Sequence, residues 1–269
     1  MTTSNAPCPA DFFGVQPENF ATCFAYWTAK HYWPETLWAG NTVAGSFQKG
    51  SERPVYMYMT RDQFQQRFNA FYPKGLWPHQ ISTVGGGVIP KTKYFLDLIP
   101  VDVTSSPVPL LFTCIWKPVN GPAESEVLSV SDFTSKNQVM ADGGYVLHDL
   151  CAYSEDLSGA GIRLAATWTK RPHGAFTQFV NMNHDQAKAK FNELVPKGYQ
   201  ITRFCGYEAD DRFYYAAIYE QLAGEWYHFF DMSAAQFQAK YNELAPRQLP
   251  LRHVCHYGDL YSAVWGHIV

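Results

Sequence analysis

Residues 225–269, EWYHFFDMSAAQFQAKYNELAPRQLPLRHVCHYGDLYSAVWGHIV, decide the fold of this chain because the same pattern recurs upstream of them. They read as strand, capped helix, strand, strand. Phe229 and Phe230 belong to a short aromatic run and Ser233 is a helix N-cap, with Phe237, Tyr241 and Leu244 following on one helical face. Two β-rich runs come next, Leu251–Tyr257 and Tyr261–Ile268, split by the turn signal Gly258-Asp259.

Residues 174–224 repeat this plan. Asn183 takes the place of Ser233, Ala187, Phe191 and Leu194 take the helix face, and Cys205 and Tyr207 match Cys255 and Tyr257 without a gap. A further copy starts at Ser129, with Phe133 and Met140 on the face, Gly144 ending the helix, then Cys151 and Tyr153; Asn137 at its middle face position makes this helix the weakest. Another starts at Thr60, with Phe64, Phe68 and Phe71 and a stop at Gly75. The N-terminus supplies the fifth: Gln16 is followed by Phe20, Phe24 and Trp27 and preceded by Phe12 and Phe13.

The caps at 16, 60, 129, 183 and 233 are 44, 69, 54 and 50 residues apart. A period in this range marks arrays whose units cannot bury their apolar face alone. The reading is one domain, residues 1–269, of five repeats starting near 12, 56, 125, 177 and 227, with an inserted hairpin at about 85–109. Open arrays need polar terminal caps, yet the first copy is rich in aromatics and the last ends VWGHIV. The expected fold is therefore α+β, a propeller-like closed ring of five strand-helix-strand-strand repeats.

Charged residues make up 17% of the chain against 46% hydrophobic and 16% aromatic, which describes an aromatic-packed globule. A net charge of −3 and no basic stripe give no pull toward nucleic acid or an anionic membrane. The first residues, MTTSNAPCPADFF, lack a basic stretch followed by an apolar one, and no apolar run approaches a membrane span, so a cytoplasmic address is expected. Cys151, Cys205 and Cys255 share one strand position and read as small buried side chains; Cys8, Cys23 and Cys114 do not, and a link among them stays open.

The copies NHDQAKAKFNELVPKGYQITRFCGYEADDRFYYAAIYE and MSAAQFQAKYNELAPRQLPLRHVCHYGDLYSAVW carry a resemblance. Their cap, aromatic face, strand ending in Tyr and short acidic turn resemble the bacterial tandem repeat domain family, found also as the N-terminal domain of fungal polyglycine hydrolases. The resemblance implies a propeller-like ring carrying helices. In those hydrolases the peptidase chemistry resides in a separate serine β-lactamase-like domain, for which the repeats leave no room here, so the scaffold carries over and the activity does not.

Candidate chemistry is sparse. Ser46-Phe47-Gln48-Lys49 is an S-x-x-K, but the S-D-N and K-T-G partners that would make it a nucleophile signature are missing. His253 and His256 flank Cys255, yet residues three apart on a strand face opposite ways, so they do not converge on a metal. The period-2 rule places Asp149 and Tyr153, Arg203 and Tyr207, and His253 and Tyr257 on one face with the aligned cysteines. These six are the candidate ligand-binding residues, walls and polar groups of a pocket at the ring axis; the other reading has the tyrosines packed between repeats with their hydroxyls bonded to backbone. The acidic turns Glu155-Asp156, Glu208-Asp210-Asp211 and Asp259 are either hairpin chemistry or holders of sugar hydroxyls or Ca²⁺. Trp116, Trp168, Tyr219 and Trp265 each follow a small residue by two and read as core.

The sum is a non-catalytic binding module with no cofactor or metal, with carbohydrate as the first ligand class, lectin-like, and weak repeated sites gaining by avidity. The alternatives are a small-molecule or chromophore pocket at the ring axis, and a hydrolase related to polyglycine hydrolases.

Overall fold

The computed structural model describes residues 8–39, 42–84, 111–118, 121–154 and 161–267. The expected insertion at 85–109 and the Glu155-Asp156 turn lie outside the described residues. Each N-cap read from the pattern begins a helix. The first repeat holds β1 (Asp11–Val15), α1 (Pro17–Thr28), β2 (Tyr32–Ala39) and β3 (Val43–Lys49); the second holds β4 (Val55–Met59), α2 (Arg61–Phe71), β5 (Leu76–Val84) and β6 (Leu111–Pro118). The third holds β7 (Ala123–Ser129), α3 (Val130–Asp142), β8 (Val146–Ser154) and β9 (Ile162–Thr169). The fourth holds β10 (Phe176–Met182), α4 (His184–Leu194), β11 (Tyr199–Ala209) and β12 (Arg212–Gln221), and the fifth β13 (Trp226–Met232), α5 (Ala234–Leu244), β14 (Leu251–Tyr257) and β15 (Leu260–Gly266).

Local chemistry explains the helix limits. Thr60, Asn183 and Ser233 accept a bond from the backbone N–H three residues on, while Gln63, Gln186 and Gln236 reach back to the cap's own N–H. These reciprocal pairs satisfy amide groups that a helix start leaves open. At the other end Pro73, Pro196 and Pro246 sit in single 3₁₀ turns closed by left-handed residues, Gly75, Gly198 and Gln248. Asn137, the weak point of α3, accepts the indole N–H of Trp168 at 2.9 Å, so it gives up apolar packing to satisfy a buried donor.

In every repeat the third strand lies between the other two in a three-stranded antiparallel sheet, ordered β1-β3-β2 and its equivalents. That middle strand carries a small residue and, two positions on, a large one: Cys114 and Trp116, Ala166 and Trp168, Ala217 and Tyr219, Ala263 and Trp265, all at most 1% exposed. The first repeat has Gly45 and Phe47 there, and the Phe47 ring meets those of Phe12, Phe20, Phe24 and Trp27. The tryptophans are thus core, as their spacing suggests.

The second strands meet across repeats: β2 touches β5, β5 touches β8, β8 touches β11, β11 touches β14, and β14 touches β2. The last of these contacts joins the two most distant parts of the chain. Ser46 Oγ donates to the Leu251 carbonyl at 2.8 Å, the Tyr241 hydroxyl donates to the Asp11 carbonyl at 3.0 Å, and the Phe13 ring lies 4.6 Å from that of Phe237. Ser46 of the S-x-x-K is fully buried in this contact, and Lys49 is exposed.

Cys8 and Cys23 are joined, resolving the alternative that the sequence leaves open, and Cys114, Cys151, Cys205 and Cys255 are unpaired and buried. No helix among the described residues is long and apolar enough to cross a membrane.

Gly206 in β11 shows how tightly neighbouring repeats meet. A Cβ there would lie 2.3 Å from ring carbons of Tyr257, whose hydroxyl is held by Asp231 and Ser262 and cannot swing away. Gly206→Ala is expected to cost about 1–3 kcal/mol by overpacking, read as a fall of several degrees in the Tm followed by circular dichroism. The loss is expected to shrink when Tyr257 is also shortened to Leu; an unchanged Tm for Gly206→Ala would contradict the packing described.

Candidate functional site

An alternating strand keeps its side chains on two faces, but each second strand breaks step once. The register slips between Pro34 and Thr36, Pro78 and Gln80, Leu147 and Asp149, Ile201 and Arg203, and Leu251 and His253. The residue left over is Glu35, His79, His148, Thr202 and Arg252 in turn. A bulge of this kind releases one residue from the ladder and re-aims its side chain. All five released residues line a single cavity of about 470 Å³.

The residue after each bulge turns the other way, into the neighbouring repeat. Gln80 Oε1 accepts from the Leu37 amide at 2.8 Å, Asp149 Oδ2 from the Ile81 amide at 2.7 Å, and Thr36 Oγ1 from the Val254 amide at 3.3 Å. His253 Nε2 donates to the Phe204 carbonyl at 2.7 Å, and Arg203 Nε to Asp149 Oδ1 at 2.8 Å. Two residues further along, Cys205 Sγ accepts from the Ala152 amide and Cys255 Sγ from the Gly206 amide.

Charge is concentrated in the cavity wall. Glu35 lies against Arg53, 2.6 Å from Lys117 Nζ and 3.2 Å from His79 Nε2, and His79 Nδ1 lies 3.0 Å from His148 Nε2. Burial alone would raise the Glu35 carboxyl, but His79 and Lys117 together outweigh it and hold the group well below the usual carboxylate range. Burial brings the His79 imidazole down to about 4, against the pull of Glu35, and the Lys117 ammonium down to about 8. His148 is pushed well below its ordinary value by burial and then by His79. At neutral pH both imidazoles are therefore uncharged, held in line by the Glu35 carboxylate. Arg171, whose charge also acts on His148, grips Glu220 through two bonds of 2.8 and 2.6 Å. Thr202, the one hydroxyl-bearing residue in the described lining, has Oγ1 3.4 Å from the Ile218 carbonyl. The wall offers hydrogen bonds, charge and two oriented imidazoles.

Of the six candidate residues read from the sequence, Arg203 lines this cavity. Asp149 is fully buried between Ile81 and Arg203, where burial raises its carboxyl to about 6 against the pull of Arg203, and His253 is buried against Phe204. Tyr153, Tyr207 and Tyr257 lie near the far end of the strands, at most 4% exposed. The Tyr207 hydroxyl donates to Asn181 and that of Tyr257 to Asp231, residues in the left-handed region of β10 and β13 that Asn and Asp tolerate. The Tyr257 hydroxyl also accepts the backbone amide of Asp231 at 3.2 Å, as the packed alternative expects. His253 and His256 have different neighbours, the His256 ring packing tilted against Trp38 and edge-on to Tyr261, and the described residues hold no group of three or more His, Cys, Asp or Glu that could bind a metal ion.

The period-2 rule missed Glu35, His79, His148, Thr202 and Arg252 because it puts them on the face opposite the aligned cysteines. A signal was present: Leu147-His148-Asp149, Ile201-Thr202-Arg203 and Leu251-Arg252-His253 each place two polar residues in succession after an apolar one. A strand that stays buried on both faces has no use for such a pair unless it bulges.

The chain matches no curated protein. A family model described as polyglycine hydrolase-like, structural repeat, matches residues 55–94, 128–171, 174–222 and 223–267, four tandem repeats that fit the second to fifth repeats of the fold. The first repeat lies before these matches yet has the same strand order and helix. With more than half of its length so matched, the chain belongs to the polyglycine hydrolase-like structural repeat family.

Proposed function

We propose that this chain is a binding module whose five repeats close into a propeller-like ring and hold one small polar molecule in the cavity where the five bulges converge. The observation that carries the reading is how the repeats differ. Positions that pack stay alike from copy to copy, whereas the bulge position holds Glu35, His79, His148, Thr202 and Arg252. Symmetry is retained in the scaffold and broken in the lining, as an asymmetric ligand requires. Ring closure is supported by the contact of β14 with β2 and the bonds of Ser46 and Thr36 to the last repeat. The volume falls within the usual range for small-molecule pockets.

A lectin with several equivalent sugar sites needs exposed aromatic platforms, and Trp116, Trp168, Tyr219 and Trp265 are buried. The family's description mentions hydrolases, but Ser46 is bonded to the Leu251 carbonyl, so no hydrolytic step is assigned to it. Native mass spectrometry of the untreated protein is expected to show a single bound small molecule per chain, and His148→Phe, which fills the cavity, is expected to abolish it. A bare mass together with repeated saccharide signals on a glycan array would overturn the pocket in favour of the lectin.

The buried imidazoles also set an acid limit. His79, His148, His228, His253 and His256 all lie below the ordinary value of 6.5, chiefly through burial. Above that pH both folded and unfolded chains keep them neutral and their contribution is complete. As pH falls from 6.5 toward 4, the unfolded chain takes up protons that the folded one refuses, and stability drops. Asp11 and Asp149, raised by burial to about 6, work the other way between 6 and their ordinary 3.8, but two carboxyls do not offset five imidazoles. The Tm is expected to fall between pH 6.5 and 4; a Tm at pH 5 equal to or above that at pH 7 would contradict the buried neutral histidines.

A further inference from the structure

The charges around the cavity do not cancel. Arg203 is matched by Asp149 and Arg171 by Glu220, while Glu35 has both Arg53 and Lys117 against it. The remaining cation is Arg252, which feels Glu220 and Glu35 at a distance but forms an ion pair with no carboxylate among the described residues. Five cationic side chains thus stand against three carboxylates, in a chain whose net charge is −3. Arg252 is 8% exposed, lines the cavity as the bulge residue of β14, and has no hydrogen-bond partner for either terminal nitrogen among the described residues. Burial brings its guanidinium down to about 10, assisted by the like charge of Arg203, so it is still cationic at neutral pH.

A buried guanidinium without a partner is among the costliest groups a fold can carry. Both terminal nitrogens are almost wholly closed to water, so solvent does not supply the missing bonds. Each other cation around the cavity has its carboxylate, which isolates Arg252 as the group arranged for something from outside. The guanidinium fork fits the two oxygens of a carboxylate or a phosphate through parallel bonds. His79 and His148, uncharged, add a polar wall without adding charge.

We infer that the cavity takes an oxyanion, a small molecule bearing a carboxylate or phosphate group, and that Arg252 is its principal charge partner; this rests on the pocket reading above. Glu35 stands on the neighbouring β2, so its repulsion keeps the anionic end on the β11 side of Arg252. The rest of the ligand then lies toward Thr202 and the imidazoles, where hydrogen bonds select it.

The test uses the full chain, dialysed, with inorganic phosphate, succinate, citrate and neutral erythritol as probes at constant ionic strength, by calorimetry and thermal shift. Phosphate on one side and the two carboxylates on the other separate the sources of the oxyanion. At least one oxyanion is expected to bind and raise the Tm, with affinity at least tenfold weaker in Arg252→Gln and partly restored in Arg252→Lys. Without ligand, Arg252→Gln is expected to melt at or above the parent, because an unpaired buried charge has been removed; a purely structural Arg252 would give a lower Tm. Oxyanion binding that is equal in the parent and Arg252→Gln overturns the inference. Binding of erythritol alone, lost in His148→Phe, also overturns it while leaving the pocket standing. Binding of no probe, with Arg252→Gln melting well below the parent, ends both.

Discussion

Where two repeats meet, a backbone group of one is satisfied by a side chain of the next. Gln80, Asp149 and Thr36 each accept an amide N–H from another repeat, and His253 donates to a carbonyl across the same kind of seam. A buried amide left without a partner costs about 1–3 kcal/mol, more than the net gain of a typical hydrogen bond. The contacts between repeats are therefore demanding as well as attractive: a repeat that drifts away strands a donor in its neighbour. Side chains at this position can differ, Thr, Gln, Asp, Arg and His, because each needs only to present the right polar atom.

The bulge is what makes this stitching and the cavity two consequences of one distortion. A strand without it would hold every residue in the ladder, with none released to reach into the cavity. With it, the released residue turns to the cavity while the next turns to the neighbouring repeat. The seam residues each spend a polar atom on a group of the neighbouring repeat, whereas the cavity residues face open volume. Glu35, His79, His148, Thr202 and Arg252 differ in charge and shape. The arrangement also explains why histidines are common here: as neutral groups they satisfy buried polar atoms without the desolvation cost of a full charge.

The repeat, its helix caps and its strand limits were legible because each rests on local chemistry. Ser233 with Gln236 and Gly75 after Pro73 need no knowledge of what lies across the molecule. The small-over-large pairs of the middle strand were legible too, since packing is conveyed by size alone. The cavity was not, because it is lined by the residue that the bulge releases from the ladder, on the face opposite the aligned cysteines. Asp149, Arg203 and His253 were singled out as ligand-binding candidates, and the structure places all three at seams, with Arg203 also lining the cavity. Asn137 looked like a flaw in a helix face until Trp168, thirty-one residues on, was seen to need an acceptor.

Hydrogen exchange at the seam amides measures the central claim most directly. Leu37, Ile81 and Val254 bond to side chains in other repeats, so their amides are expected to exchange as slowly as the sheet interior, by global unfolding alone. Thr36→Val is expected to release Val254 while Leu37 and Ile81 stay protected. Fast exchange at Val254 in the parent chain, with Ile81 slow, would show the first and last repeats parted and would contradict the account.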